Sequence, residues 1–93
     1  MDSPADFTLA QTDHGPTAVL TGDWTAVAMA GAGDRLRAAL HDVTSARLDM
    51  SGIGRCDTAG AFAILRASEG RVPHSAIHAQ RRTARLLELV ARA

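Results

Sequence analysis

The chain has 93 residues, 46% of them hydrophobic, and a formal net charge of zero, which suits one domain over residues 1–93. Its single cysteine excludes an internal disulfide, and no apolar run approaches the ~20 residues of a membrane-spanning helix, so we expect a cytoplasmic location. With one Trp, two Phe and no Tyr, few aromatic rings are available to stack on bases, which argues against nucleic-acid binding.

The chain opens with a pattern typical of a β-hairpin. Residues 7–11 alternate between apolar and polar side chains, as a half-buried strand does. A turn at residues 12–15 contains a glycine, and residues 17–21 predict the returning strand. Gly22 and Asp23 are expected to end that strand.

A helix is predicted next, after a segment that is harder to interpret. Thr25 is expected to cap a short helical turn within residues 24–33, which the glycines there would weaken. Asp34 is a suitable N-cap for a helix over residues 35–41, because its carboxylate can accept from unpaired backbone N–H groups.

The second half of the chain alternates strands with helices. A third strand is predicted over residues 46–50, and a helix follows from the Asp57 region to about residue 69, with Gly70 just beyond its end. A fourth strand is predicted over residues 75–79 and a last helix over residues 81–92. The prediction is therefore an α/β fold: a mixed sheet of about four strands, opening with a hairpin and packed by two to three helices.

The most informative segment joins the third strand to the next helix. An acid and a hydroxyl, Asp57 and Thr58, stand side by side where the helix begins. Either can cap the helix, since its first backbone N–H groups are unpaired and carry partial positive charge. The alternative is a contact surface centred on the Thr58 hydroxyl. Gly60 would either allow a partner close to the backbone or let the helix pack tightly on the sheet.

This segment resembles the signature of STAS domains, in which a strand ends Asp-apolar-Ser and Asp-Ser/Thr-x-Gly opens a helix. Here the two parts are Asp49-Met50-Ser51 and Asp57-Thr58-Ala59-Gly60. Together with Gly22-Asp23-Trp24-Thr25 and the C-terminal helix, they look like the MlaB-like STAS module of Mla-type lipid-transport ABC systems, especially the version fused ahead of the permease. STAS domains usually carry one more strand and helix, so the chain is expected to be either a short variant or, as the fused version favours, a piece of a longer protein.

The resemblance implies a non-catalytic interaction module that binds an MlaF-like ATPase subunit beside an MlaE-type permease, at the inner face of the inner membrane. Membrane association would be indirect or through a fused permease. The implied partner-binding residues are Asp57, Thr58, Ala59 and Gly60. In anti-sigma-factor antagonists of the same family, the residue matching Thr58 is phosphorylated and controls partner release, so a phosphorylation-switched signalling module is the alternative function.

The remaining reactive residues predict neither catalysis nor a cofactor. His74 and His78 are four apart, but on the predicted strand they would lie about 13 Å from each other, which argues against a metal site. Cys56 is expected to be a buried hydrophobe, because no His or Lys is placed to lower its pKa. Trp24 is expected to anchor the core or its rim, or to join a partner surface.

The charges are unevenly distributed. Residues 1–65 carry eight acidic residues against four arginines, whereas residues 66–93 carry six arginines against two glutamates. A basic C-terminal part suits a juxtamembrane position on the cytoplasmic side. In the last helix, an apolar stripe of Leu86, Leu87 and Val90 is expected to face the sheet, with the arginines projecting outward.

Overall fold

The elements of the fold alternate as the sequence pattern indicates. The computed structural model describes residues 3–92, with the side chain of His74 excepted. The strands are β1 (Asp6–Thr12), β2 (Gly15–Trp24), β3 (Arg47–Asp49), β4 (Ile53–Cys56) and β5 (Ile77–His78). The helices are α1 (Ala32–Leu40), α2 (Thr58–Ser68) and α3 (Arg81–Arg92), with a 3₁₀ turn at His74–Ala76 before β5.

Strand β2 organises the mixed sheet. It pairs antiparallel with β1, so the predicted hairpin is confirmed, with Phe7 opposite Leu20. Its first half pairs in parallel with β3, and its second half pairs in parallel with β4. Strand β5 adds to the outer side of β3, again in parallel. The α/β class with a mixed sheet is therefore confirmed.

The strand count differs from the prediction. Residues 3–92 form five strands rather than about four, because β3 and β4 follow one another along the same edge of β2. No strand was predicted between residues 51 and 56, where β4 lies. Gly54 is not there for a turn: a Cβ at this position would overlap the Asp23 carboxylate on the neighbouring strand. Close approach between strands, rather than chain reversal, explains this glycine.

The core lies between the sheet and the three helices. Trp24 is its largest fully buried side chain, and the indole N–H donates to the Thr21 carbonyl at 3.0 Å. Trp24 is thus a core residue and not part of a partner surface. The other large, fully buried side chains are Leu20, Leu36, Leu40, Leu48, Met50 and Ile64. Each contributes roughly 1.5–3 kcal/mol through removal of its apolar surface from water.

One helix boundary and one short helical turn in the first half depart from the prediction. Helix α1 begins at Ala32 behind Gly31, whose φ of 90° only glycine adopts readily, so Asp34 lies in the first turn instead of capping it. The Thr25 hydroxyl does accept from the Ala28 N–H at 3.2 Å, as a cap would. The turn it stabilises ends there, and residues 25–31 form a loop.

The second half follows the prediction more closely. Gly70 has a φ of 72° just after α2, and α3 spans the predicted residues. Leu87 is buried, with Leu86 and Val90 partly buried against the core, as the predicted stripe requires. Strand β5 is shorter than expected because the 3₁₀ turn occupies its first residues. None of the helices in residues 3–92 is both long and apolar enough to cross a bilayer.

Candidate functional site

Helix α2 begins at an aspartate that anchors two segments of the chain. Asp57 has extended backbone angles and caps the helix: its Oδ1 accepts from the Gly60 N–H at 2.9 Å. Its Oδ2 accepts from the Ala26 N–H at 3.0 Å, in the loop that follows β2. The Asp57 N–H donates to the Trp24 carbonyl at 3.2 Å. The start of α2 is therefore held rigidly against the end of β2.

These bonds determine the protonation state of the cap. The backbone N–H groups of Ala26 and Gly60 both stabilise the charged carboxylate and hold the pKa of Asp57 below its usual value. The carboxylate is thus ionised at neutral pH, with both oxygens already bonded within the domain. Its role in the structure is to position Thr58 rather than to act as a free acid.

The four predicted partner-binding residues divide into two groups. Asp57, Thr58 and Ala59 are exposed, whereas Gly60 is buried. A Cβ at Gly60 would overlap the Trp24 carbonyl oxygen, so this glycine allows α2 to pack tightly on the end of β2. Of the two roles weighed for Gly60, the structure displays the packing role.

An exposed stripe continues from Thr58 along α2. Phe62 and Arg66 follow at intervals of four residues, so the three side chains share one face of the helix. Phe62 is 53% exposed, and the Arg66 guanidinium lies 5.8 Å from the centroid of its ring. The helical spacing from Thr58 was a signal that could have identified Phe62 from the sequence.

A second exposed apolar residue lies in the loop held by Asp57. Val27 is 84% exposed and follows Ala26, whose N–H binds the Asp57 carboxylate. We call the set Val27, Thr58, Ala59, Phe62 and Arg66 the α2 surface. It combines a hydroxyl, two large apolar side chains and a cation on a rigid support.

A groove of about 730 Å³ adjoins the α2 surface, between the end of β4 and the start of α3. Arginines stand on both sides of it: Arg55 on β4, and Arg81 and Arg82 on α3. Thr25 and Asp57 also line the groove, which makes it continuous with the loop and helix start described above. We call this feature the arginine groove.

Asp23 fixes one wall of the arginine groove. Its Oδ1 accepts from the Arg55 N–H at 2.8 Å and its Oδ2 from the Ser3 N–H at 3.0 Å. The bonds from Arg55 and Ser3 lower the pKa of Asp23, so the carboxylate stays charged and joins β2 to β4. The sequence drew attention to Gly22-Asp23-Trp24-Thr25 but did not reveal this joining role.

The Asp-Met-Ser motif fixes the opposite wall. The Asp49 Oδ1 accepts from both the hydroxyl and the backbone N–H of Ser51, at 2.7 and 3.0 Å, and these bonds lower the pKa of Asp49. The Ser51 carbonyl in turn accepts from the Gln80 side-chain amide at 2.9 Å. Gln80 directly precedes α3, so the turn after β3 positions the start of that helix. The sequence did not single out Gln80.

Cys56 lines the arginine groove, but its thiol has low reactivity. The thiol is partly buried, and burial, followed by the nearby charge of Asp57, raises the pKa of Cys56 to about 11. It is therefore protonated at neutral pH and a poor nucleophile. The structure describes no side chain for His74, so its pairing with His78 lies outside the described residues. Among those residues, no group of three His, Cys, Asp or Glu side chains is arranged to hold a metal ion.

Comparison of the chain with family models, with curated proteins and with solved structures gives no match. Function is therefore inferred from the residues and from the geometry of the α2 surface.

Proposed function

We propose that the chain is a non-catalytic interaction module of a phospholipid-transport ABC system, docking on the ATPase subunit through the α2 surface. The observation that carries this proposal is the exposed stripe of Thr58, Phe62 and Arg66 on a helix whose start is anchored twice by Asp57. The STAS-like segment supplies the partner class: an MlaF-like ATPase beside an MlaE-type permease. In this proposal the module works at the cytoplasmic face of the inner membrane and uses no cofactor.

Exposed apolar area beside Thr58 supports docking. Single exposed apolar residues are common on protein surfaces and need no explanation. Here two of them lie on segments that Asp57 joins: Phe62 is on α2, and Val27 follows Ala26, whose N–H binds the Asp57 carboxylate. An aromatic side chain that a partner can desolvate is a frequent source of binding energy. The hydrogen-bonded support of the α2 surface should add to the affinity, because little loop ordering remains to oppose association.

Binding to a purified MlaF-like ATPase subunit tests the proposal. Phe62→Ala is expected to weaken the affinity about tenfold or more, as loss of a central aromatic contact does. Leu89→Ala is the matched control, because Leu89 is similarly exposed, at 58%, but lies on α3. Equal affinities for the two variants would contradict docking through the α2 surface.

Substitutions of Thr58 separate docking from a phosphorylation switch. Thr58→Ser keeps the hydroxyl and should retain binding. Thr58→Glu should weaken binding by placing a charge in a packed interface, while the domain stays folded because an acid is tolerated at a helix N-terminus. Thr44→Glu is the control, since Thr44 is exposed in the loop before β3. If Thr58→Glu binds as well as Thr44→Glu, Thr58 is not at the interface.

The exposed hydroxyl also favours a second candidate function. Thr58 is the first residue of α2 and is accessible to a kinase, so the chain would serve as a signalling module of the anti-sigma-factor-antagonist type. A phosphate there would lie at the positive end of the helix but close to the ionised Asp57. Mass spectrometry of the protein isolated from cells distinguishes the two functions. Stoichiometric phosphate on Thr58 would favour signalling, and its absence from a protein that binds the ATPase would favour docking.

A further inference from the structure

The arginine groove has a strong positive bias that the domain does not neutralise. Three arginines line it, and Asp57 is its one acidic lining residue within the described part of the chain. Both oxygens of that carboxylate already accept backbone N–H groups. Among the described residues, the one ion pair joins Arg35 to Asp6, away from the groove. The groove therefore offers its guanidinium groups to something outside the domain.

Hydrogen bonds that involve two carboxylates position the backbone on both walls of the groove. Asp23 holds the backbone of Arg55 through its N–H. On the other wall, Asp49 fixes Ser51, and the Ser51 carbonyl fixes Gln80 at the start of α3. The fold thus sets the backbone positions from which Arg55, Arg81 and Arg82 project, and their side chains are exposed. Guanidinium groups so placed suit carboxylates, which they can bind with two parallel hydrogen bonds.

We propose that the arginine groove receives an acidic segment of the protein that docks on the α2 surface. This inference rests on the proposed docking function for the identity of the partner. Continuity supports it: Asp57 lies in the groove and directly precedes Thr58, and Thr25 lies two residues before Val27. A protein that covers Thr58 therefore lies next to a residue that lines the groove. Charge complementarity then selects aspartate and glutamate side chains as the contacts.

Exposure of the arginines argues for a protein segment over a small anionic ligand. Small-ligand sites bury most of the ligand and surround it with a few placed polar groups. Here all three guanidinium-bearing residues are open to solvent, which is typical of the charged rim of a protein interface. Rim charges mainly speed association and make binding sensitive to salt.

Affinity and association rate for the ATPase subunit, measured over a range of salt concentrations, test the inference. Arg81→Ala/Arg82→Ala is expected to bind about threefold to tenfold more weakly at low salt, as loss of two exposed charge contacts predicts. Its association rate should fall, and its dependence on salt should be shallower than that of the unaltered protein. Arg37→Ala/Arg47→Ala is the matched control. Both residues are exposed, and this variant also loses two positive charges, but from residues that do not line the groove.

The outcomes separate this inference from the proposed function. If Arg81→Ala/Arg82→Ala binds with the same affinity as its control while Phe62→Ala still weakens binding, the inference of an acidic segment is wrong. Docking through the α2 surface then stands. If Phe62→Ala also binds normally, or the unaltered protein does not bind, both proposals fail. Tighter binding of an oligonucleotide than of the ATPase, lost in the groove variant, would assign the groove to nucleic acid and overturn the inference.

A cross-link identifies the occupant directly. Arg81→benzoylphenylalanine places a photoreactive group in the groove while Arg55 and Arg82 remain. The peptide recovered from the ATPase is expected to contain several aspartates or glutamates. A neutral or basic peptide would overturn the inference.

Discussion

Helices α2 and α3 begin in the same way but present different chemistry to solvent. In each, the carbonyl of the preceding residue accepts the first backbone bond: Asp57 from Ala61 at 2.9 Å, and Gln80 from Ala84 at 2.8 Å. The Asp57 side chain turns inward to its own helix and to the β2 loop, whereas the Gln80 amide donates to Ser51. The α2 start then exposes a hydroxyl and apolar groups, and the α3 start exposes two arginines. Helix starts with the same backbone geometry can therefore present different surfaces. At α2 the surface is apolar with one hydroxyl, and at α3 it is positively charged.

The third residue of each helix gives the largest expected difference. Gly60→Ala should lower the free energy of unfolding by at least about 2 kcal/mol, because the added methyl overlaps the Trp24 carbonyl and forces α2 away from β2. Thr83→Ala, at the matching position of α3, removes atoms from a buried site and should cost about 1 kcal/mol. Urea unfolding of both variants measures the difference. Equal losses would mean that α2 is no more tightly packed than α3.

The capping residues should differ next. Asp57→Ala removes the acceptor of two backbone N–H groups and should destabilise the domain by about 1–2 kcal/mol. Gln80→Ala removes one exposed neutral hydrogen bond and should cost about 0.5 kcal/mol. Thermal or urea unfolding at neutral pH measures the two losses of stability. A larger loss for Gln80→Ala than for Asp57→Ala would contradict this prediction.

Acid should weaken the α2 start. The pKa of Asp57 is lowered by the N–H groups of Ala26 and Gly60, so the carboxylate stabilises the folded state above the ordinary aspartate pKa of about 3.9. That stabilisation is lost as the pH falls through the lowered pKa of the folded protein. Asp57→Asn still caps but does not titrate, so its stability deficit should be present at pH 7 and shrink as the pH falls through the lowered pKa of Asp57. Leu89→Ala, which removes an exposed apolar side chain on α3, should show a deficit that does not depend on pH. A constant deficit for Asp57→Asn would contradict the role of the ionised carboxylate.

The smallest effect on stability is expected on the α2 surface itself. Phe62 is 53% exposed, so Phe62→Ala should change the free energy of unfolding by less than about 1 kcal/mol while strongly weakening ATPase binding. Leu89→Ala on α3 should affect stability to a similar degree and leave binding intact. Paired unfolding and binding measurements test this separation. A large loss of stability in Phe62→Ala would reassign the residue to the core.

Local patterns predicted those parts of the fold that depend on neighbouring residues. The alternation in the hairpin, the capping aspartate of α2, the glycine after that helix and the apolar stripe of α3 are all encoded within a few positions. Each of these features appears where the sequence placed it. The roles of Asp57 as a cap and Trp24 as a core residue were among the alternatives that the sequence offered.

Contacts between distant parts of the chain were not predictable in this way. Strand β4 is defined by pairing with β2, and the roles of Asp23 and Gln80 depend on partners 32 and 29 residues away. No periodicity reports such contacts. Gly54 was therefore not assigned to a strand, because the group that requires a glycine there, the Asp23 carboxylate, lies on another strand.

The bond between Asp57 and Ala26 spans 31 residues, so the α2 surface exists only after the chain has folded. An unfolded or newly made chain contains Thr58 and Phe62 but does not present them together with Val27. A partner that recognises this surface therefore discriminates folded molecules from unfolded ones, and its binding draws the population towards the folded state. At a partner concentration one hundred times its dissociation constant, that linkage adds about 2.7 kcal/mol to the stability of the domain. Partner binding would then favour folded molecules of this domain over unfolded ones.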